Sequence, residues 1–164
     1  LIYLSLNGTD VSSLEGVDKL KKLKSLDIGN TKINSLEPLK KNAKVLDLEM
    51  SNTLVADLFQ LKYLPELTCL DISNTKVSDL AVFSELRNLK FVALSGCAIE
   101  SLEPLRGHPA LFSVVITKTK IRDLTPLNDC PNLASIDADT EVLSEEDFDK
   151  FYANSPDCVL NVDK

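Results

Sequence analysis

Apolar residues recur along this chain at a nearly constant interval of about 22 residues. The motif L-x-x-L-x-L begins, in successive copies, at Leu1, Leu23, Ala43, Leu67, Leu89, Leu111 and Leu133, with spacings of 22, 20, 24, 22, 22 and 22. We interpret the short and long spacings as a two-residue bulge over residues 49–54 that exposes Met50. A unit this short cannot bury its own leucines, so six repeats and a seventh strand are predicted to stack into one core over residues 1–140.

Each repeat is predicted to begin with a short strand, because apolar and polar residues alternate with a period of two. If positions are counted from the start of the motif, the inward residues at position 4 are Leu4, Leu26, Leu46, Leu70, Val92, Val114 and Ile136. Equivalent strands of successive repeats then lie parallel in one sheet. Position 8 carries residues that mostly tolerate a left-handed turn, namely Gly8, Asn30, Asn74, Gly96 and Lys118.

The residue after this turn carries a hydroxyl or a thiol in the repeats that align simply: Thr9, Thr31, Thr75, Cys97 and Thr119. We expect it to bond backbone groups of the adjacent coil. Later in each repeat, a Ser or Asp precedes the leucine at position 14, and Pro38, Pro104 and Pro126 follow in three repeats. This pattern predicts a single helical or 3-10 turn rather than a long helix.

The leucine pattern stops after Asp139, and residues 141–164 are predicted to form a C-terminal cap. A helix over about residues 145–154 would begin at Ser144 as N-cap and be terminated by Pro156. The side chains of Phe148, Phe151 and Tyr152 would lie on one face and cover the last coil, and a short strand is expected over residues 158–162. No equivalent cap precedes Leu1, so we expect further coils or a cap upstream in the native protein.

These motifs resemble the leucine-rich-repeat family, and more closely its 22-residue class, found in protein-phosphatase regulatory subunits and bacterial internalins. One difference is that Thr or Cys occupies the corner where that class usually carries Asn. The resemblance implies an α/β fold, a right-handed solenoid with a parallel sheet on the concave face and short 3-10 turns on the convex face. It also implies a non-catalytic scaffold that binds a protein partner through the strand face.

Composition narrows the classes of partner and compartment. Residues 133–164 contain nine carboxylates and two lysines, which accounts for the whole net charge of -7. Residues 1–132 have no net charge. This distribution argues against general affinity for nucleic acid or an anionic membrane. The four cysteines are too sparse and irregular for a disulfide scaffold or a zinc module, so we expect reduced thiols and a cytoplasmic protein.

The outward strand positions supply the candidate binding face. We assign Asp27, Asp47 and Asp71 to position 5 of adjacent strands, where they would stack about 4.8 Å apart. Beside them, an apolar patch is predicted from Phe91, Ala93 and Val115, joined by Val45 and Phe112 at its margin. The predicted protein-binding residues are Asp27, Asp47, Glu49, Cys69, Asp71, Phe91, Ala93 and Val115. Such a face suits a protein with basic and apolar anchor residues.

Signals for chemistry are weak. His108 falls in a column of mostly leucines and is expected to pack against Cys130 of the next coil. We therefore predict that the protein is not an enzyme and binds no metal or cofactor, and we do not expect a small-molecule ligand. A lysine-rich flank is interpreted as a solvated surface: Lys19, Lys21, Lys22, Lys24, Lys40, Lys41 and Lys44. Two alternatives stay open: a recognition or regulatory module of a larger phosphatase, ligase or cyclase complex, and a secreted internalin-like adhesion module.

Overall fold

The computed structural model describes residues 1–139 and 143–163, so the predicted boundary between repeats and cap at 140/141 lies outside the described residues. Within the described ranges, eight strands form one parallel sheet in the order in which they occur along the chain. They are β1 (Tyr3–Ser5), β2 (Ser25–Asp27), β3 (Asp47–Glu49), β4 (Cys69–Asp71), β5 (Phe91–Ala93), β6 (Ser113–Val115), β7 (Ser135–Asp139) and β8 (Val159–Asp163). The predicted solenoid with a parallel sheet is confirmed.

The register of the third repeat differs from the one we predicted. Leu48, and not Leu46, is the strand partner of both Leu26 and Leu70. The third repeat therefore begins at Val45, and every repeat has the same length of 22 residues. The predicted bulge is wrong, since Met50 lies at position 6 and is fully buried. The motif fits two registers here, and pairing with both neighbouring strands decides between them.

The corrected register also completes the corner column. Asn52 and its equivalents in the other coils have left-handed backbone, with φ between 54° and 70°: Gly8, Asn30, Asn74, Gly96 and Lys118. The following Thr hydroxyl donates to the carbonyl three residues earlier in its own coil, as Thr75 does to Ile72 at 2.7 Å. The expectation of a bond to the adjacent coil is wrong for Thr, because the tight turn brings its own carbonyl within reach. Cys97 does cross, and its Sγ donates to Ile72 O at 3.0 Å.

Short 3-10 segments form the convex side, as predicted from the capping residues and prolines. They are Val17–Lys19, Glu37–Lys41, Phe59–Tyr63, Ala81–Ser84, Glu103–Leu105 and Thr125–Asp129. The Ser or Asp at position 13 accepts a hydrogen bond from the backbone N–H two residues later, as Asp79 does from Ala81 at 2.8 Å. Five of these six segments begin at the residue that donates this bond, whereas Val17–Lys19 begins two residues later, after Gly16.

The C-terminal helix α1 spans Glu145–Tyr152 and begins in a capping box formed by Ser144 and Asp147. Phe151 is fully buried and Phe148 is half-buried against the core, whereas Tyr152 is exposed and does not contribute to the buried face. The helix ends before Pro156 is reached, so the proline is not its terminator. After α1, strand β8 pairs in parallel with β7 and extends the sheet by one strand.

The core is one continuous stack of side chains enclosed between the sheet and the 3-10 segments. It includes Leu26, Leu48, Leu70 and their equivalents in the coils up to Ile136, each with 2% exposure or less, whereas Leu4 of the first coil is half-buried. Burial of such side chains contributes about 1.5–3 kcal/mol each, and each coil depends on its neighbours for that burial. In the described part of the chain, no helix is long and apolar enough to cross a membrane.

Candidate functional site

The concave face carries a cluster of four carboxylates on strands β2 to β4. Asp27 pairs with Glu49, and Glu49 pairs with Asp71, so these three share position 5 of adjacent strands. Asp47 lies at position 3 of β3, on the same face as Glu49 and beside Cys69. The predicted stack of three aspartates is therefore wrong, since Glu49 occupies its middle place. We call Asp27, Asp47, Glu49 and Asp71 the acidic cluster.

Like charges meet in this cluster without compensation. At a strand spacing of about 4.8 Å, two carboxylates repel each other by roughly 0.9 kcal/mol even in water. Burial raises the pKa of the Glu49 carboxyl, and the negative charges of its three cluster neighbours raise it further. Within residues 1–139 and 143–163, no Lys or Arg forms an ion pair with a member of the cluster. The cluster therefore adds nothing to the stability of the fold that a neutral polar residue would not.

The members of the acidic cluster differ in their local bonding. Asp27 accepts hydrogen bonds from the side chains of Ser5 and Asn7 and from the backbone of Gly29, at 3.0–3.1 Å. Asp71 accepts from the backbone of Ser73 at 2.8 Å. Asp27 thus has a structural role at the end of the sheet that the sequence pattern did not reveal.

A shallow groove of about 360 Å³ runs across strands β2 to β6 beside the cluster. Seven of the eight predicted binding residues line it, and Asp27 is the exception: Asp47, Glu49, Cys69, Asp71, Phe91, Ala93 and Val115. Ser25 and Ser113 complete the walls. The parallel register brings these residues together, because equivalent positions of successive repeats become direct neighbours.

The other end of the groove is apolar. Phe91 and Phe112 are 45% and 47% exposed, and their rings meet edge to face at a centroid distance of 5.7 Å. Val115 and Ala93 lie half-buried next to Phe91. Val45, which we had placed at the margin of this patch, is fully buried in the core and cannot take part. Phe112, which lies at position 2, does form the margin of the apolar patch. It was only a secondary member of the predicted patch.

Cys69 lies between the acidic and apolar ends of the groove. Burial raises the pKa of its thiol, a hydrogen bond from Thr68 opposes the shift, and Asp47 adds to it. A protonated thiol is a poor nucleophile at neutral pH. Cys69 therefore contributes a small, weakly polar contact surface to the groove.

The remaining candidates for chemistry are bonded to the backbone. His108 is 1% exposed, its Nε2 lies 2.9 Å from Leu86 O, and burial lowers its pKa. The Sγ of Cys130 donates to Leu105 O at 3.2 Å, so each side chain satisfies a carbonyl of the preceding coil. Among the residues that the structure describes, no group of three or more His, Cys, Asp or Glu side chains could hold a metal ion.

Known proteins share this architecture. A family model of two leucine-rich repeats matches residues 1–41. The chain has the leucine-rich-repeat fold. Proteins with this fold commonly mediate protein–protein interactions and are typically non-catalytic scaffolds. No curated protein sequence matches the chain significantly.

Three solved structures superpose on this leucine-rich-repeat chain with a TM-score of 0.77 each. An internalin, inlF, of Listeria monocytogenes is 24% identical over 84% of this chain and 41% of its own. Internalin C2 of the same species is 22% identical over 99% of this chain and 80% of its own. A leucine-rich-repeat protein of Leptospira interrogans is 17% identical over 98% and 48%. The chain therefore spans less than half of two of these proteins and most of the third.

Proposed function

We propose that this leucine-rich-repeat chain is a non-catalytic scaffold that binds a protein partner in the concave groove. The observation that carries the proposal is the juxtaposition of uncompensated carboxylates with exposed aromatic rings in a single groove. The charge repulsion among the carboxylates and the exposure of the rings do not stabilise the fold. Both match a partner that presents one basic and one apolar anchor residue.

The spacing within the groove limits how such a partner binds. Asp71 and Val115 occupy the same position in strands two apart, so the acidic and apolar ends are separated by about 10 Å. In an extended segment, which rises about 3.3 Å per residue, that distance separates residues i and i+3. In a helix it separates residues i and i+7. The partner anchors are therefore expected at one of these two spacings.

We also propose that the protein is cytoplasmic. All four cysteines are free thiols, and three of them are buried: Cys97, Cys130 and Cys158. Free thiols are the rule in reducing compartments. A native disulfide between Cys130 and Cys158, measured by mass spectrometry without reduction, would instead indicate an oxidising environment.

Quantitative affinity capture from the source cell tests the proposed binding face. Two variants remove one anchor site each: Phe91→Ala with Val115→Ser for the apolar end, and Glu49→Gln with Asp71→Asn for the acidic end. We expect both to lose a common set of partners, because removal of a well-packed anchor costs about 2 kcal/mol or more. The acidic variant should lose the same partners that the wild type loses at high salt, because salt screens the same charge attraction.

A control is Tyr152→Ala, which removes an exposed aromatic ring from helix α1, outside the concave groove. This variant should retain the partners that the groove variants lose. If both groove variants retain every partner of the wild type, the concave groove is not the binding site.

A further inference from the structure

The repeat architecture provides an internal comparison for every surface position. At position 15, on the convex side, the successive residues are Glu15, Glu37, Phe59, Ala81, Glu103 and Thr125. Repeats three and four thus carry apolar residues where the other repeats carry polar ones. Phe59 is 55% exposed, and Leu54 and Tyr63 of the same repeat are 45% and 42% exposed. The fold does not require these side chains at the surface, because the other repeats pack without them.

A groove of about 410 Å³ lies at this break in the pattern, between the 3-10 segments Phe59–Tyr63 and Ala81–Ser84. Its volume falls within the range of about 300–1,000 Å³ that is typical of ligand clefts. Phe59, Ala56, Ala81 and Val82 form its apolar surface. The small side chain of Ala81 opposite the ring of Phe59 leaves the space open.

Three carboxylates surround this convex groove: Asp57, Asp79 and Glu85. The Oδ1 atoms of Asp57 and Asp79 accept hydrogen bonds of 2.8 Å from the backbone N–H of Phe59 and Ala81. These bonds orient both side chains and leave their second carboxylate oxygens free to accept from a ligand. In the part of the chain that the structure describes, none of the three carboxylates forms an ion pair.

The ring of Phe59 already attracts a cation within the chain itself. The Nζ atom of Lys62 lies 3.6 Å from the centroid of this ring and 5.2 Å from that of Tyr63. An exposed contact of this kind contributes about 0.5–1 kcal/mol. Because Lys62 occupies one face of this ring, a ligand cation fits at the carboxylates, and an apolar ligand side chain fits against the ring.

We propose that this convex groove is a second protein-docking site, which takes a segment carrying a Lys or Arg next to an apolar residue. The cation would lie between Asp57 and Asp79, and the apolar side chain would fill the space between Phe59 and Ala81. A neighbouring groove of about 420 Å³ shares Asp79 and continues along the next coil past Ala98. An extended segment can therefore follow the convex side over two coils. This site lies on the opposite side from the concave groove, so neither proposal depends on the other.

The test uses a phage-displayed library of random peptides, selected on the wild-type protein and counter-selected on Ala81→Arg. This substitution places a long cationic side chain in the groove at an exposed position. The matched control is Thr125→Arg, the same substitution at position 15 two coils further along. Affinities of the enriched peptides are then measured for the wild type, Ala81→Arg, Thr125→Arg and Asp79→Asn. In the last variant the amide oxygen still accepts from the backbone while the charge is lost.

The expected result is a set of peptides that carry Lys or Arg beside an apolar residue. Ala81→Arg should weaken their binding by about tenfold or more and Asp79→Asn by about threefold to tenfold, whereas Thr125→Arg should leave it unchanged. The proposal is overturned if selection yields no peptide that discriminates against Ala81→Arg, or if the enriched peptides lack basic residues. It is also overturned if the wild type forms dimers that Ala81→Arg dissociates, because the occupant is then a second copy of the chain. Circular dichroism on each variant confirms that the fold is retained.

Discussion

The corrected register of the third repeat predicts a large difference between two neighbouring apolar residues. Met50 is fully buried, whereas Leu46 is half-buried at position 2. Met50→Ala removes three buried groups, each worth about 0.8 kcal/mol, and thus about 2.4 kcal/mol of transfer free energy. A residual cavity of roughly 50 Å³ would add about 1.2 kcal/mol at about 24 cal/mol per Å³. The expected loss of unfolding free energy is therefore about 3–4 kcal/mol for Met50→Ala, against about 1 kcal/mol for Leu46→Ala.

Urea denaturation followed by circular dichroism measures both variants. The slope m should stay close to the wild-type value, so that the shift of the midpoint reports the change in stability. Met50→Lys sharpens the test, because a buried charge without a partner should prevent folding of the third coil, while Leu46→Lys should be tolerated. Equal losses for the two alanine variants, or a greater loss for Leu46→Ala, would refute the register and restore the two-residue bulge.

Three further predictions concern other columns of the solenoid. Burial holds the pKa of His108 below its ordinary value of 6.5, so the unfolded chain takes up a proton first as the pH falls. The free energy of unfolding should therefore decrease below about pH 6.5. Urea titrations at pH 7 and pH 5 should show a smaller decrease for His108→Leu than for the wild type. Thr75→Val should cost about 1 kcal/mol in urea denaturation through loss of the buried bond to a carbonyl, whereas Thr9→Val at the exposed equivalent should cost almost nothing. Glu49→Gln should raise the thermal midpoint at pH 7, because it removes a negative charge that its neighbours repel. It should not raise the midpoint at pH 3, where the carboxyl is already protonated. A lower midpoint at pH 7 would contradict the repulsion in the acidic cluster.

The candidate site could be predicted in outline but not in its pairing. Period-two alternation places outward residues such as Phe91 and Val115 on one face, whichever partner strand is chosen. It does not say which carboxylates become neighbours, and a two-residue shift exchanged Asp47 for Glu49 in the middle of the column. The convex groove was missed altogether. The available signal was the departure of Phe59 and Ala81 from a column that is otherwise polar.

The sequence by itself determined the repeat length, the inward leucines, the left-handed corner residues and the short convex turns. Each of these follows from local backbone preference or from a hydrophobic period that recurs in every coil. Only the tertiary structure decided the register of the third repeat, the bond of Cys97 across coils and the burial of Met50. These depend on contacts between residues about a whole repeat apart, because the local sequence of the third repeat fits two registers and packing against both adjacent coils selects one of them.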